Sequence, residues 1–178
     1  VSIRTKIEGM EKGSAVTLKT RILDEEGHAV ACVTDTRLLH FGEIEQTLTV
    51  DNPTLWSPEN PVMYSVETEV YAGGSVNTDW DMDRPEISIA DGTVPCDKVS
   101  TRFGFRTIEI IPDKGFFLNG EARKFRGVCL HHDLGPLGAA INKAAIRRQL
   151  TMLKDMGCDA IRTSHNMPAE ELIELCDE

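Results

Sequence analysis

Basic runs are missing from this chain of 178 residues: 19 Lys and Arg stand against 29 Asp and Glu, a formal net charge of −10. A chain without a Lys/Arg cluster lacks the footprint that a phosphate backbone or an anionic membrane surface requires, so neither nucleic acid nor membrane is expected as a partner. Long apolar runs are missing too, and no window approaches the ~18 consecutive residues of a spanning helix. The five cysteines, Cys32, Cys96, Cys129, Cys158 and Cys176, are odd in number and scattered, with no C-x-x-C pair, which excludes a disulfide framework and a zinc knuckle. The N-terminus has no basic-then-apolar leader and begins at Val1 inside what reads as a strand, so the chain reads as cut from something longer; cytoplasmic, periplasmic and secreted origins are not distinguished. Finally, the length falls short of the about 250 residues of a complete (β/α)₈ barrel.

What is present begins with period-2 hydrophobicity from Val1 to about Ile111. Val1, Ile3 and Ile7 alternate with polar residues, and Val16, Leu18, Thr20 and Ile22 share one parity. Further strands are expected at 29–33, 43–50 (Ile44, Leu48 and Val50 inward), 63–71 and 102–111. Turn residues separate them at Asp24-Glu25-Glu26-Gly27, Asp51-Asn52-Pro53 and Gly73-Gly74. Short strands at this spacing predict an immunoglobulin-like antiparallel β-sandwich over residues 1–111. Two stretches interrupt it. Leu55-Trp56-Ser57-Pro58-Glu59-Asn60-Pro61 carries two prolines and reads as an extended edge or corner segment. Residues 77–100 are polar and acidic and read as a loop or decorated hairpin. Asp79, Asp81 and Asp83 there alternate as in a calcium loop, but Arg84 takes the place of the required Gly and Ala90 that of the bidentate Glu, so a solvated loop is expected.

Past residue 112 the pattern changes. Phe116-Phe117-Leu118-Asn119-Gly120 places an Asn-Gly pair after an apolar run, which predicts a hairpin. A strand at 125–131 ends in His131-His132-Asp133, and Gly135-Pro136-Leu137-Gly138 forms a loop. The period is helical over 142–156, with Ile146, Leu150 and Leu153 on one stripe and Gly157 as the stop. A second strand at 159–164 runs into His165-Asn166, and Pro168 with Glu170 and Glu171 opens another helix. Strand, helix, strand, helix implies parallel strands joined by crossovers, and polar clusters at strand C-terminal ends lie where α/β folds bind ligands. His131, His132, Asp133, His165 and Asn166 are therefore the candidate pocket. Adjacent histidines point to opposite sides, which argues against a metal site; hydroxyl recognition suits these side chains better. The acid and nucleophile carboxylates that glycosidic cleavage requires, about 5 Å apart, have no visible pair.

Several motifs in one order carry a resemblance. Trp56-Ser57-Pro58-Glu59-Asn60-Pro61 with Tyr64, Phe103-Gly104-Phe105-Arg106-Thr107-Ile108-Glu109, Phe117-Leu118-Asn119-Gly120, Arg126-Gly127-Val128 with His131 and Asp133, and Ile161-Arg162-Thr163-Ser164-His165-Asn166 with Pro168 and Leu175-Cys176-Asp177 resemble glycoside hydrolase family 2, the β-galactosidase, β-glucuronidase and β-mannosidase group. The resemblance implies a mainly β chain: an immunoglobulin-like sandwich over 1–111, then a truncated start of a (β/α)₈ catalytic barrel, a hairpin plus two βα units, over 112–178. It also implies a retaining β-glycosidase parent, β-galactosidase-like, acting on terminal non-reducing β-glycosides. The acid/base and nucleophile glutamates would lie on later barrel strands, so this chain alone holds no catalytic residue and is expected to be silent. His131, Asp133, His165 and Asn166 match substrate-binding positions, and Arg162 a position supporting the site. Asn166, Cys129 and Asp159 depart from the family's commonest residues there, which leaves galactose, glucuronic acid and mannose undivided. No metal site and no cofactor are expected in this chain, a divalent cation in the parent being left open, and a homo-oligomer through the truncated barrel edge is a candidate assembly. The competing reading is a non-catalytic carbohydrate-binding or interaction sandwich using Trp80, disfavoured because aromatic residues make up 6% of the chain.

Overall fold

A computed structural model describes residues 1–11, 13–39, 42–73, 89 and 93–178. The acidic Asp79, Asp81, Asp83 run and Trp80 lie outside the described residues. The chain divides into two compact units, Val1–Thr54 with Met63–Phe103, and Leu55–Val62 with Gly104–Glu178. The expected single cut at residue 111 thus becomes three crossings, because 55–62 and 104–111 pack within the second unit.

The first unit contains strands β1 (Ser2–Lys6), β2 (Ala15–Leu23), β3 (Ala29–Leu38), β4 (Glu43–Thr47), β5 (Tyr64–Ala72) and β6 (Asp97–Phe103). They form an antiparallel sheet β3-β2-β5-β6 and a second antiparallel pair β1-β4. Val16, Leu18, Thr20 and Ile22 are fully buried, as their shared parity demands. The core joins Val16 and Leu18 of β2 to Leu39 and to Ile44 of β4, with Ile7, Met10 and Val70 packed around it. A polar cluster sits in this core. The Thr20 hydroxyl donates to Gln46 Oε1 (2.6 Å) and pairs with the Thr68 hydroxyl (3.0 Å), while Gln46 Nε2 donates to the Leu18 carbonyl (3.4 Å). Gln46 has the inward parity of Ile44 and Leu48, so its amide is buried and needs these partners. Two sequence expectations change. Residues 97–100 belong to a strand rather than to a loop, paired with β5 from Asp97 to Phe103. The single strand expected at 102–111 is two strands in different sheets, broken at Gly104.

In the second unit the chain at 55–62 runs as a strap. Leu55 bridges Phe105, the Trp56 N–H donates to the Phe105 carbonyl (2.7 Å), and Ser57 and Asn60 exchange backbone hydrogen bonds (3.0 Å each). Gly104 is required here: a Cβ at that position would lie 2.9 Å from the Trp56 Cβ. Strands β7 (Ile108–Ile111), β8 (Gly115–Leu118) and β9 (Glu121–Ala122) make an antiparallel meander. Asn119 and Gly120 both take positive φ, 53° and 81°, in the turn predicted from that pair. Then follow β10 (Gly127–Leu130), α1 (Lys143–Asp155), β11 (Ala160–Thr163) and α2 (Glu170–Asp177). β10 and β11 pair in parallel, Gly127 opposite Ala160 and Leu130 opposite Thr163. The Asn142 side chain caps α1 by accepting from the Ala145 N–H (3.0 Å), and Gly157 leaves the helix at φ 88°. Ile146 of α1 and Leu175 of α2 are buried, and the Lys143–Glu174 and Arg147–Glu178 ion pairs tie the two helices. No described helix is long and apolar enough to cross a membrane.

Candidate glycone-binding site

Parallel pairing carries β10 and β11 in step to their C-terminal ends, where the Ser164 N–H donates to the Leu130 carbonyl (2.8 Å) as the last rung. His131 and His165 leave the strands side by side, their rings 5.8 Å apart and nearly perpendicular, at 83°. Residues two apart on a strand share a face, so Cys129 and His131 lie on one side of β10, with Arg162, the register partner of Cys129, beside them on β11. The Arg162 guanidinium donates to the Ser164 hydroxyl (2.8 Å) and reaches Cys129 Sγ at 3.8 Å. Arg162 is thereby held by its neighbours in a fixed position beside the histidine pair. The same guanidinium, with the Ser164 hydroxyl, lowers the pKa of the exposed Cys129 thiol by favouring its thiolate. Burial pushes the Cys176 thiol up instead.

Asp133 and Asn166 go elsewhere. With His132, which has a left-handed backbone (φ 55°), they line a cavity of about 50 Å³ between the strand ends and the helices, floored by Ile146 and Leu172. The Asp133 carboxylate accepts the Gly135 N–H (2.8 Å), an Asx turn that opens the following loop. The expected cluster therefore divides into two adjoining groups at one sheet end: His131 with His165, and Asp133 with Asn166. The positive φ at His132 turns the chain between them. All four side chains are exposed and offer donors and acceptors to a polyhydroxylated ligand.

Sequence reasoning missed what closes the opposite end of these two strands. The Asp159 carboxylate accepts the Arg126 N–H (2.8 Å), while the N–H groups of Asp159 and Ala160 donate to the Arg126 carbonyl (2.8 and 3.2 Å). Arg123 lies 3.6 Å from Asp159 and forks onto Glu59 of the strap, Nη1 to Oε2 at 3.0 Å with the second arm onto Oε1. That fork pulls the Glu59 carboxyl down from 4.5 to about 2. No local pattern announces partners 64 residues apart. Among the described residues one group of metal-ligating type gathers: Asp24, Glu26 and His28, in the β2–β3 turn. Their hydrogen bonds, His28 N–H to Asp24 Oδ1 (2.8 Å) and Gly27 N–H to the Asp24 carbonyl (3.1 Å), are those of the turn itself.

A sandwich followed by paired parallel strands that end in a polar wall is the arrangement of a barrel glycosidase's opening, and comparison with known proteins agrees. Residues 1–83 match the family described as glycosyl hydrolases family 2, and residues 109–178 match the glycosyl hydrolases family 2 TIM barrel domain. The chain belongs to glycosyl hydrolase family 2. It is 39% identical over 176 residues to the β-galactosidase BoGH2A of Bacteroides ovatus, an alignment covering 97% of this chain and 18% of that protein. A solved family 2 member from Bacteroides cellulosilyticus superposes with a TM-score of 0.81 at 32% identity, over 99% of this chain and 21% of the other. β-Glucuronidase 2 of Bacteroides uniformis, solved covalently bound to cyclophellitol-6-carboxylate aziridine, gives 0.76 at 28% identity, covering 99% of this chain and 20% of that one. The chain thus spans about a fifth of the length of these relatives.

Proposed function

We propose that this chain forms one wall of the glycone pocket of a retaining β-glycosidase, β-galactosidase-like, that hydrolyses terminal non-reducing β-glycosides. The observation that carries the reading is the meeting of His131 and His165 at the C-terminal ends of neighbouring parallel strands, 5.8 Å apart, with Asp133 and Asn166 lining a cavity at the same sheet end. That is the end of a βα-built sheet where loops gather and ligands bind. Imidazole, amide and carboxylate together can both donate to and accept from vicinal hydroxyls, which fixes the orientation of a sugar ring. Arg162 holds this wall in place through Ser164. The similarity to BoGH2A favours a galactose-type glycone, and the covalent adduct in the Bacteroides uniformis relative supports a glycosyl-enzyme intermediate.

The chemistry of such an enzyme is a double displacement. One carboxylate attacks the anomeric carbon as a carboxylic acid protonates the leaving oxygen, and water then releases the sugar with that second group acting as base. Both carboxylates fall to the remainder of the barrel in this proposal, and the wall presented here binds and orients. The chain by itself is accordingly expected to give no turnover of an aryl β-galactoside above the uncatalysed blank, followed by leaving-group absorbance. Turnover that persists through purification and disappears on substituting an acidic residue of this chain would overturn the assignment of both carboxylates to other segments.

A further inference from the structure

The strap at 55–62 is fixed at Trp56 and carries Glu59 onto Arg123. Its backbone is fixed by Phe105 and by Asn119, whose Nδ2 donates to the Trp56 carbonyl (3.0 Å). The Trp56 indole N–H donates to the Asp177 carbonyl (3.1 Å), and Arg106 lies over the indole ring, 5.2 Å from its centroid. So anchored, the strap presents Glu59 to Arg123. Arg123 is itself held by its backbone N–H, which donates to the Phe116 carbonyl of β8 (2.9 Å). Its guanidinium is mostly covered, with the side chain 20% exposed, and its second partner is Asp159. Asp159 in turn closes the first rung between β10 and β11 through Arg126, at the sheet end opposite the histidines.

We infer that Arg123 is a positioning residue for the histidine wall: held by Glu59 of the strap, it fixes the Asp159 carboxylate that sets the β10–β11 register, and through that register the spacing of His131 and His165. Register is the quantity at stake because a parallel pair of four residues each has few rungs to define it. An Asp159 carboxylate free of Arg123 can rotate away from the Arg126 N–H, and the first rung is then left to backbone groups alone. The planar fork of Arg123 is suited to this task, since it binds Glu59 with two parallel bonds and still faces Asp159; a lysine ammonium would retain the charge and lose the geometry. The consequence for sugar binding rests on the proposed function, whereas the clamp itself is a statement about the two strands.

Amide hydrogen exchange of the whole chain, resolved by residue, separates these levels. Arg123→Ala is expected to speed exchange at Arg126 and at Ser164, the two ends of the β10–β11 ladder, by about tenfold, while amides of β2 stay unchanged. Asp159→Ala is expected to do the same, and the double variant to exchange no faster than the faster single, because both substitutions cut one link. Arg123→Lys, which keeps the charge and disturbs folding least, is expected to fall between wild type and Arg123→Ala at both amides. The inference is overturned if exchange rises only within the strap, or if the effects of Arg123→Ala and Asp159→Ala simply add. Faster exchange at Arg126 and Ser164 with sugar recognition unchanged would count against the proposed function and leave the clamp standing.

Discussion

Gly127→Ala is expected to unzip β10 from β11 and to destabilise the second unit by about 3 kcal/mol or more, the upper range for an overpacked site. The reason is geometric. A Cβ on residue 127 would sit 2.1 Å from the Ala160 carbonyl oxygen and 2.7 Å from its carbon, both backbone atoms of the partner strand. No rotamer change relieves that contact, so the strands must move apart, and the rungs up to the Ser164 N–H move with them. Denaturant unfolding followed by hydrogen exchange at residues 128–130 measures the loss. Gly127→Ala with unchanged protection there would show that the strands pair differently. The argument does not rest on glycine's conformational freedom, since the constraint is the space beside Ala160.

Leu18→Ala should produce the second large effect, in the first unit. Leu18 is fully buried among Val16, Leu39 and Ile44, so truncation removes its methyl groups from the core and leaves a cavity that the two sheets, pinned by Thr20, Gln46 and Thr68, cannot readily close. A loss of about 3 to 4 kcal/mol in the equilibrium unfolding free energy follows from such substitutions. Val30→Ala, at a site 41% exposed in β3, is the control and should change stability by less than about 0.5 kcal/mol. Equal losses at the two positions would contradict the placement of the core.

These two sites also show what could be read from sequence. The alternation of Val16, Leu18, Thr20 and Ile22 predicted a buried face because strand periodicity is local, and all four are buried, with Thr17 of the opposite parity buried as well. Helix α1 was legible for the same reason, with Gly157 as its stop, while the capping role of Asn142 emerged only in the structure. The break at Gly104 was not read as one, although Phe103 and Phe105 keep one parity while Ile108 and Ile110 take the other. What the sequence does not show is the close approach of Trp56 to Gly104 from far along the chain. The inward place of Gln46 followed from its parity with Ile44 and Leu48, but its partner Thr20, paired in turn with Thr68, lies on another strand and was hidden.

At the candidate site, sequence reasoning brought the polar residues to one sheet end, because residues closing two parallel strands must come to the same edge. It did not separate His131 and His165 from Asp133 and Asn166, a division that depends on the left-handed backbone at His132. Nor did it reach Arg123, whose partners Glu59 and Asp159 flank it at 64 and 36 positions in the chain and only meet once the strap is folded. Long-range ion pairs leave no periodic trace, so a sequence shows the residues and not their pairing.

The central claim is that the histidine pair is a sugar-binding wall. Its direct measurement is kcat/KM for an aryl β-galactoside in a polypeptide that joins this chain to the rest of the barrel, comparing wild type with His131→Ala and His165→Ala. A wall that orients the glycone predicts hydrolysis by the wild type and a loss of about 100-fold or more for each variant, with folding unchanged by circular dichroism. Hydrolysis at wild-type kcat/KM in both histidine variants would contradict the account.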